Sequence, residues 1–205
     1  MSLEVRGLDI GRGGRLLLRG VSFDCRAGQA VSIHGRNGLG KTSLLRTLAG
    51  LQPPMAGALG HDVDQVAYAG HVDGIKATLT VAETLGFWAR IYGTDRVGEA
   101  VAGFGLEGLM ARRGGRLSAG QRRRCALARL VLSGRPVWLL DEPTAALDAA
   151  GRAELRAVLE AHLDGGGMAL MVTHGEPPLP CEALDLEPFA AGDALAGGAF
   201  AEAVE

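Results

Sequence analysis

A glycine-rich stretch at residues 35–43, GRNGLGKTS, has the residue types that bind phosphate. Gly35, Gly40, Lys41 and Thr42 follow the spacing G-x-x-x-x-G-K-[ST], between an apolar run and a helical pattern. In this motif backbone N–H groups surround a β-phosphate, the lysine bridges the β- and γ-phosphates, and the threonine hydroxyl holds Mg²⁺. A chance match in a glycine-rich chain is the alternative, and the flanking strand and helix patterns argue against it. The predicted phosphate-binding residues are Gly35, Arg36, Asn37, Gly38, Leu39, Gly40, Lys41, Thr42 and Ser43.

Two adjacent acids, Asp141 and Glu142, end a second apolar run, VWLLDE at residues 137–142. A carboxylate at the C-terminal end of a core strand beside a phosphate loop is placed to hold Mg²⁺ through water, which is the role expected of Asp141. Glu142 would face the γ-phosphate, where it could orient and deprotonate the attacking water. Two acids after a strand are, by themselves, more often a solvated strand end. Together with Lys41 they predict a site that hydrolyses a nucleoside triphosphate, with Lys41 and Glu142 as catalytic groups.

A third motif, LSAGQ at residues 117–121, marks the start of a helix. Ser118 and Gln121 fit a capping box, in which each side chain bonds to the backbone N–H of the other. A capped helix N-terminus with a small Ala-Gly turn also binds a γ-phosphate well. The motif lies too far along the chain to be assumed to reach the phosphate that Lys41 would hold.

The pattern of apolar residues predicts the elements that must position these motifs. Apolar or alternating runs predict strands at 3–8, 21–25, 30–34, 66–69, 137–140 and 168–172, with one more at 184–186. Helical patterns lie at 42–48, 81–92, 121–132 and 151–162. Strands that alternate with helices favour an α/β fold with a mainly parallel sheet. No strand is predicted between residues 79 and 135, so this interval is expected to be an inserted helical lobe.

Composition narrows the class of protein. The 21 Lys+Arg and 23 Asp+Glu give a net charge of -2, which is no global reason to expect nucleic acid or an anionic membrane as a partner. Cys25, Cys125 and Cys181 form no C-x-x-C pair, which fits a reducing compartment and argues against a disulfide framework or a zinc site. No apolar run approaches the ~18 residues that span a bilayer, and the N-terminus lacks a signal peptide's apolar core. We therefore expect no direct membrane insertion.

Seven arginines lie between residues 112 and 129 without an acid among them: Arg112, Arg113, Arg116, Arg122, Arg123, Arg124 and Arg129. A nucleic-acid interface is one interpretation of such a cluster. The chain has no other basic stripe, few aromatic residues for stacking and a negative net charge. Nucleic acid is therefore not the expected partner.

In order and spacing, GRNGLGKT, LSAGQ, WLLDEP, ALD and a late VTH resemble the motifs of an ATP-binding cassette (ABC) ATPase over residues 1–175. The resemblance implies a single nucleotide-binding domain at 1–205, of the P-loop NTPase (RecA-like) α/β type with an inserted helical signature subdomain at 77–135. It also implies ATP and Mg²⁺ as the cofactors.

The same resemblance implies a head-to-tail homodimer of ATP-binding subunits. Ser118 and Gly120 of one copy would close over ATP held by Lys41 and Thr42 of the other. Gln121 belongs to the same motif and is counted with the ATP-binding residues.

Two further residues receive a role from the resemblance. Asp148, in ALD, would be the D-loop residue at the dimer contact. His174, in VTH, would be the switch histidine that contacts the γ-phosphate and completes the catalytic set.

The chain departs from the general family in two places. The stretch at 8–15, LDIGRGGR, has no aromatic residue to stack on adenine, so either Arg12 or Arg15 stacks its guanidinium on the base or both are solvated loop residues. After VAYAG the family places a Mg²⁺-sensing glutamine, and this chain has His71. Imidazole can form hydrogen bonds and bind a metal, so His71 joins Thr42 and Asp141 as a predicted metal-binding residue.

The segment GHVDGIK at 70–76, with LSAGQRRRCALARL and VWLLDEPTAALD, resembles the ATPase subunit of the cytochrome c maturation system, a haem exporter. This implies a peripheral subunit at the cytoplasmic side of the bacterial inner membrane, bound to transmembrane permease subunits of a haem-handling complex. Its hydrolysis of ATP would release a haem-loaded chaperone from those partners. His71 is expected to mark the coupling loop and not to ligate haem, because it has no aromatic or Cys partner nearby. Lys76 would contact a partner or be solvated.

Two other functions stay open at this point. An ABC ATPase of a different transporter, for a metal, a lipid or a drug, would share every motif except the GHVDGIK segment. A soluble ABC ATPase that acts on nucleic acid or ribosomes usually carries a second cassette or a long coiled-coil insertion, and this chain shows neither.

Overall fold

Two β-sheets form the framework of the computed structural model, which describes residues 2–192. The first sheet is antiparallel and consists of β1 (Ser2–Arg12), β2 (Arg15–Arg26) and β4 (Ala56–Leu59), with β1 in the centre. The second is parallel and consists of β3 (Ala30–His34), β5 (Val66–Ala69), β6 (Val137–Asp141), β7 (Met168–Val172) and β8 (Glu182–Asp185). Its strand order is β5-β6-β7-β3-β8.

The parallel sheet separates two apolar clusters. Every residue of β6 and β7 is buried, as expected for strands that are covered on both faces. Alternate side chains point to opposite faces, so Val137 and Leu139 join the cluster with the antiparallel sheet, whereas Trp138 and Leu140 join the cluster with the helices. The continuous apolar runs in the sequence therefore reflect burial on both sides.

The helices of the described chain are α1 (Lys41–Leu48), α2 (Val81–Tyr92), α3 (Val97–Gly103), α4 (Ala119–Ser133) and α5 (Ala149–Asp164). Residues 79–135 contain α2, α3, α4 and two 3₁₀ turns, and in this fully described stretch the only β pairing is the isolated bridge between Thr80 and Arg113. Because this stretch leaves the sheet after β5 and returns to it at β6, it forms a helical insertion between neighbouring strands.

Local sequence signals set the ends of the two long helices of this insertion. Thr80 caps α2 in a capping box with Glu83, and Gly93 ends that helix in a left-handed conformation. Ser118 caps α4 in a second capping box with Gln121, and Gly134 ends it in the same way as Gly93. Each box satisfies backbone N–H groups that would otherwise lack a partner at the first turn.

Aromatic and cationic side chains hold α2 against α4. The Arg129 guanidinium lies 4.7 Å from the centre of the Trp88 ring, and Trp88 stacks on Tyr92 with ring centroids 5.8 Å apart. Arg129 also donates a hydrogen bond to the Tyr68 carbonyl at 2.8 Å, at the end of the sheet. Part of the arginine cluster is thus used inside the subunit.

The sequence predicted this α/β architecture, and the structure confirms it with some corrections. The strands predicted at 30–34, 66–69 and 168–172 and the helix at 81–92 have the observed bounds. The strands predicted at 3–8 and 21–25 are parts of the longer hairpin β1–β2, and the strand predicted at 184–186 is β8, which begins two residues earlier. β4 and α3 were not predicted, because AGAL and VGEAVAG are short and rich in glycine and alanine, so they carry little propensity or periodicity of their own.

Among residues 2–192, no helix combines the length and the apolar character needed to cross a bilayer.

The cap of α2 gives a test of the helical insertion. Thr80→Ala removes the hydroxyl that accepts from the Glu83 N–H at 3.1 Å, and we expect it to lower the free energy of unfolding by about 1 kcal/mol. Urea denaturation measures this change. Thr78→Ala, at an exposed position two residues earlier, is the matched control and should have little effect. Equal unfolding free energies for the two variants would contradict the capping role.

Candidate functional site

The glycine-rich segment at 35–40 joins the C-terminal end of β3 to the first turn of α1. Gly35, Gly38 and Gly40 have φ angles of 142°, 79° and 119°, which are conformations that favour glycine. A Cβ on Gly35 would also lie 2.5 Å from the Leu39 side chain. The loop can therefore keep this shape only with glycine at these positions.

The N-terminus of α1 is free to bind an anion. Gly40 occupies its N-cap position without a side-chain cap, and its first turn holds no acid. The N–H groups of a first helical turn have no partner within the helix, and the helix dipole adds a partial positive charge there. The loop and this helix end together offer a row of N–H donors suited to phosphate.

Lys41 lies across this loop. Its ammonium donates hydrogen bonds to the Gly35 carbonyl at 2.6 Å and to the Arg36 carbonyl at 3.0 Å. The charge is therefore held over the opening of the loop, where a bound phosphate would replace neutral carbonyl acceptors with anionic oxygens. Thr42 follows in the first turn and is partly buried, whereas Ser43 is buried.

Asp141 ends β6 and Glu142 follows it, on the same edge of the sheet as the loop. Asp141 is 2% exposed, and its carboxylate accepts a hydrogen bond from the Tyr68 hydroxyl at 3.4 Å. Burial and then the charge of Asp141 raise the pKa of Tyr68 to about 12, so Tyr68 remains a neutral donor at physiological pH. Among the described residues, no Lys or Arg ion pair engages this carboxylate, which leaves it available for a divalent cation.

Glu142 has an unusual backbone conformation. Its φ angle is 53°, in the left-handed region that residues other than glycine seldom adopt. Its N–H donates to the Val172 carbonyl at 2.8 Å, which ties it to the end of β7. Its side chain is 2.9 Å from His174, between Oε1 and Nε2. The structure therefore brings together two residues that the sequence assigned to one catalytic set.

The phosphate loop, the two acids and His174 lie close together because they follow strands that end at the same edge of the sheet. The loop with Lys41 follows β3, the acids end β6, and His174 follows β7. These strands are adjacent and parallel in the order β6-β7-β3, so their C-terminal ends lie side by side. Ligand sites in sheets of this kind form at that edge.

The LSAGQ residues form the capped start of α4. The Ser118 hydroxyl accepts from the Gln121 N–H at 3.2 Å, and the Gln121 side chain accepts from the Ser118 N–H at 3.0 Å. Ser118 is exposed, and a Cβ on Gly120 would lie 2.8 Å from the Ala146 carbonyl. These residues thus present an exposed helix N-terminus that packs closely on the segment after Glu142. Their contact with ATP in a dimer stays a prediction.

The other predicted residues occupy the surface. Asp148 is exposed, and its side chain caps α5 by accepting from the Gly151 N–H at 2.9 Å. His71 is exposed in the loop that follows β5. No group of three or more potential metal-ligating side chains forms within residues 2–192. Arg12 and Arg15 face each other across the β1–β2 turn.

Arg123 is a residue of the site that the sequence did not reveal, because the sequence placed it only in the arginine cluster at residues 112–129. The side chain is 3% exposed, and it donates hydrogen bonds to the Asp141 and Glu142 carbonyls, both at 2.9 Å. The available signal was helical spacing, because Arg123 precedes the buried Leu127 and Leu130 by four and seven residues on one face of α4.

A separate cavity of about 770 Å³ lies between α3, α4 and α5. Trp138 and His162 line it and stack on each other with ring centroids 3.7 Å apart. Burial lowers the pKa of His162. The lining residues include none of the phosphate-loop residues and neither of the acids at 141 and 142, so this cavity is not the nucleotide site.

Comparisons with known proteins agree with this geometry. Residues 18–145 match the family model described as ABC transporter. The chain is 53% identical to the cytochrome c biogenesis ATP-binding export protein CcmA of Rhodobacter capsulatus over 197 residues, which is 96% of this chain and 92% of that protein. It is 48% identical to the CcmA of Roseobacter denitrificans over 204 residues, 99% of each chain.

Solved structures share the fold. A putative ABC transporter ATP-binding protein from Pyrococcus furiosus has a TM-score of 0.82 at 23% identity, covering 93% of this chain and 100% of that one. An ATP-binding subunit of an ABC transporter has a TM-score of 0.78 at 26% identity, covering 85% of this chain and 80% of that one. The chain has the phosphate loop, a capped helix that begins at LSAGQ and the acid pair, and it belongs to the ABC transporter ATP-binding family and, within it, to the CcmA proteins.

Proposed function

We propose that this chain is the ATP-hydrolysing subunit of a membrane-bound ABC complex that serves c-type cytochrome biogenesis. The observation that carries the catalytic part is the Glu142–His174 contact of 2.9 Å at the same sheet edge as the phosphate loop. The full-length similarity to proteins named for cytochrome c biogenesis and export supports the pathway.

ATP would bind with its phosphates in the loop at 35–40. Backbone N–H groups of the loop and of the first turn of α1 would surround the β-phosphate. Lys41 would leave the Gly35 and Arg36 carbonyls, 2.6 and 3.0 Å away, for the β- and γ-phosphate oxygens. Its role is to neutralise the charge on the γ-phosphoryl oxygens and the negative charge that develops on the β-phosphate oxygen of ADP as the bond breaks.

The residues present suit a magnesium ion. The buried Asp141 carboxylate and the Thr42 hydroxyl are oxygen ligands of the kind that Mg²⁺ prefers, and Tyr68 donates a hydrogen bond that fixes the carboxylate. When bound, Mg²⁺ would supply charge neutralisation at the β- and γ-phosphates. His71 is a further candidate for sensing the ion, from the loop after β5.

Glu142 would accept the proton of the water that attacks the γ-phosphate. The γ-phosphoryl bond to ADP breaks as the new P–O bond forms, which gives ADP and inorganic phosphate. The His174 Nε2, 2.9 Å from the Glu142 Oε1, would keep the carboxylate oriented, and the imidazole would also contact the γ-phosphate. The tie between the Glu142 N–H and Val172 holds the acid at the strand end.

A second copy of the chain would complete the site. Ser118 and Gly120 lie at the N-terminus of α4. Ser118 is exposed and the first turn holds no acid, so the N–H groups that the capping box does not use favour an anion. We assign the head-to-tail homodimer to this surface, with Asp148 at the contact. Two bound ATP molecules would hold the dimer closed, and hydrolysis would release it.

ATP hydrolysis by this subunit would drive its permease partners, which it would bind at the cytoplasmic side of the bacterial inner membrane. The subunit would bind there peripherally through the loop that contains His71 and Lys76, both of which are exposed. In the proposed pathway each cycle releases a haem-loaded chaperone from the membrane complex. An interface with nucleic acid is less well supported, because Arg123 and Arg129 of the basic cluster form internal contacts.

The acid at position 142 gives the first test of hydrolysis. Glu142→Gln removes the proton acceptor, so we expect kcat for ATP hydrolysis to fall by about 100-fold or more while ATP still binds. Phosphate release and ATP binding measure the two effects. Glu176→Gln, an exposed acid two residues beyond His174, is the control and should keep wild-type activity. Wild-type turnover in Glu142→Gln would contradict the catalytic assignment.

The membrane partners give the second test. Affinity capture of Glu142→Gln with Mg-ATP from its native membranes should retain a closed dimer with its partners. We expect mass spectrometry to find haem-handling membrane proteins and the eluate to show a Soret band. Lys41→Ala, which should not bind ATP productively, is the control and should retain less of the complex.

The alternatives predict different captured material. A different permease without haem would leave the ATPase in place and contradict the cytochrome c pathway. Ribosomes or DNA would contradict the membrane complex as well.

A further inference from the structure

Arg123 connects α4, on which it lies, to Asp141 and Glu142 at the C-terminal end of β6. Its Nη2 donates to the carbonyls of Asp141 and Glu142, each at 2.9 Å, and its Nε approaches the Pro143 carbonyl at 3.4 Å. One planar guanidinium thus contacts three successive carbonyls around the proposed general base. Its rigid fork of donors is suited to such a set of acceptors.

The same guanidinium also holds the loop at residues 70–79, which we call the coupling loop. Nη1 donates to the Gly70 carbonyl at 2.7 Å and to the Asp73 carboxylate at 3.2 Å. The Arg123 side chain is 4% exposed and that of Asp73 is 23% exposed. A buried cation requires hydrogen-bond acceptors and an opposite charge, and Asp73 supplies that charge.

The far end of the coupling loop is attached to the segment just before LSAGQ. The Gly114 N–H donates to the Leu79 carbonyl at 2.8 Å, and the Gly115 N–H donates to the Ala77 carbonyl at 3.0 Å. A Cβ on Gly114 would lie 2.5 Å from the Lys76 carbonyl, so the two segments are in close contact. The loop is therefore tied to the α4 region at both ends.

The middle of the coupling loop faces outward. Val72 is 72% exposed, and His71, Gly74 and Lys76 are exposed as well. A partner that presses on this surface would act directly on Gly70 and Asp73, which are the loop's two contacts with Arg123. The buried guanidinium lies between that surface and Glu142.

The backbone of Glu142 depends on contacts that hold it in place. Its φ angle of 53° is a strained conformation for a residue with a side chain, and strain of this kind persists where the surroundings hold the backbone in place. Val172 holds the N–H side of the residue, and Arg123 holds its carbonyl. Loss of the second contact would let the carboxylate leave its position beside His174.

We propose that Arg123 is a positioning residue that transmits the state of the coupling loop to Glu142. The inference rests on the proposed ATPase function and adds a regulatory link to it. When the loop holds Gly70 and Asp73 against the guanidinium, the Glu142 carbonyl is fixed and the acid is ready to accept a proton. When a partner displaces the loop, the guanidinium shifts and hydrolysis slows.

The first part of the test is kinetic and uses the isolated chain. Arg123→Lys keeps the charge but cannot reach all the acceptors, so we expect kcat to fall by about 10-fold to 100-fold, as for a misplaced catalytic group. KM for ATP should change by less than about twofold, because the phosphate loop is untouched. Arg156→Lys, in an exposed ion pair on α5, is the control and should match the wild type.

A double-mutant cycle separates positioning from general stability. In a Glu142→Gln background there is no base left to position, so Arg123→Lys should cause little additional loss of kcat. The inference would be overturned if Arg123→Lys lowered kcat by the same factor in the Glu142→Gln background as in the wild type. It would also be overturned if Arg123→Lys alone left kcat unchanged.

Asp73→Asn tests the link between the coupling loop and the membrane partner. It also keeps the inference testable if Arg123→Lys does not fold. It keeps the carbonyl contacts of Arg123 and removes the ionic tie to the loop. We expect kcat of the membrane-bound complex divided by kcat of the isolated subunit to lie below one in the wild type and to approach one in Asp73→Asn. Asp64→Asn, an exposed acid before β5, is the control and should keep the wild-type ratio.

The outcomes distinguish this inference from the proposed function. A wild-type ratio of one, or an unchanged ratio in Asp73→Asn, would overturn the coupling while the ATPase assignment stands. No ATP hydrolysis by the wild type, isolated or membrane-bound, would overturn the proposed function and the coupling together.

Discussion

The parallel pairing of β6, β7 and β3 is the constraint on which the rest of the structure depends. It brings the C-terminal ends of three strands to one edge, although β3 ends at residue 34, more than 100 residues before the ends of β6 and β7 at residues 141 and 172. The phosphate loop, the acid pair and His174 follow these ends, so the sheet alone makes them neighbours. A sheet of this kind must be buried on both faces, and the antiparallel sheet and the helices provide that cover.

In the same arrangement, different parts of the chain support ATP binding and set the rate of ATP hydrolysis. The phosphate loop is a local device, because its glycine conformations and the helix N-terminus lie within one short segment. Glu142 is different, because its position relies on Val172 from β7 and on Arg123 from the helical insertion. ATP binding is therefore expected to tolerate changes in the insertion that would alter the rate of hydrolysis. This division gives a membrane partner a way to act on turnover without entering the nucleotide site.

The sequence predicted the parts of the site that depend on local patterns. The phosphate loop, the acids at the end of β6 and the capping box at Ser118 each lie within one continuous stretch, and such stretches can be recognised without a structure. The resemblance to ABC ATPases, and not the local pattern, assigned His174 and Glu142 to one catalytic set. The structure places their side chains 2.9 Å apart, and their catalytic roles stay predictions.

The parts that the sequence did not predict depend on contacts between distant segments. Arg123 looks like one member of a basic cluster, and its acceptors at residues 70, 73 and 141–143 meet only when the insertion packs on the sheet. β4 is similar, since its four residues, AGAL, become a strand through pairing with β1. Contacts of this type are set by tertiary packing, which overrides weak local propensity.

Hydrogen–deuterium exchange of the Glu142→Gln protein with and without Mg-ATP tests the central claim most directly. If ATP binds at the carboxyl edge of the parallel sheet, exchange should slow in residues 35–43 and in the segments that follow β6 and β7. Protection confined to the cavity around Trp138 and His162, or ATP binding that leaves residues 35–43 unprotected, would contradict the account.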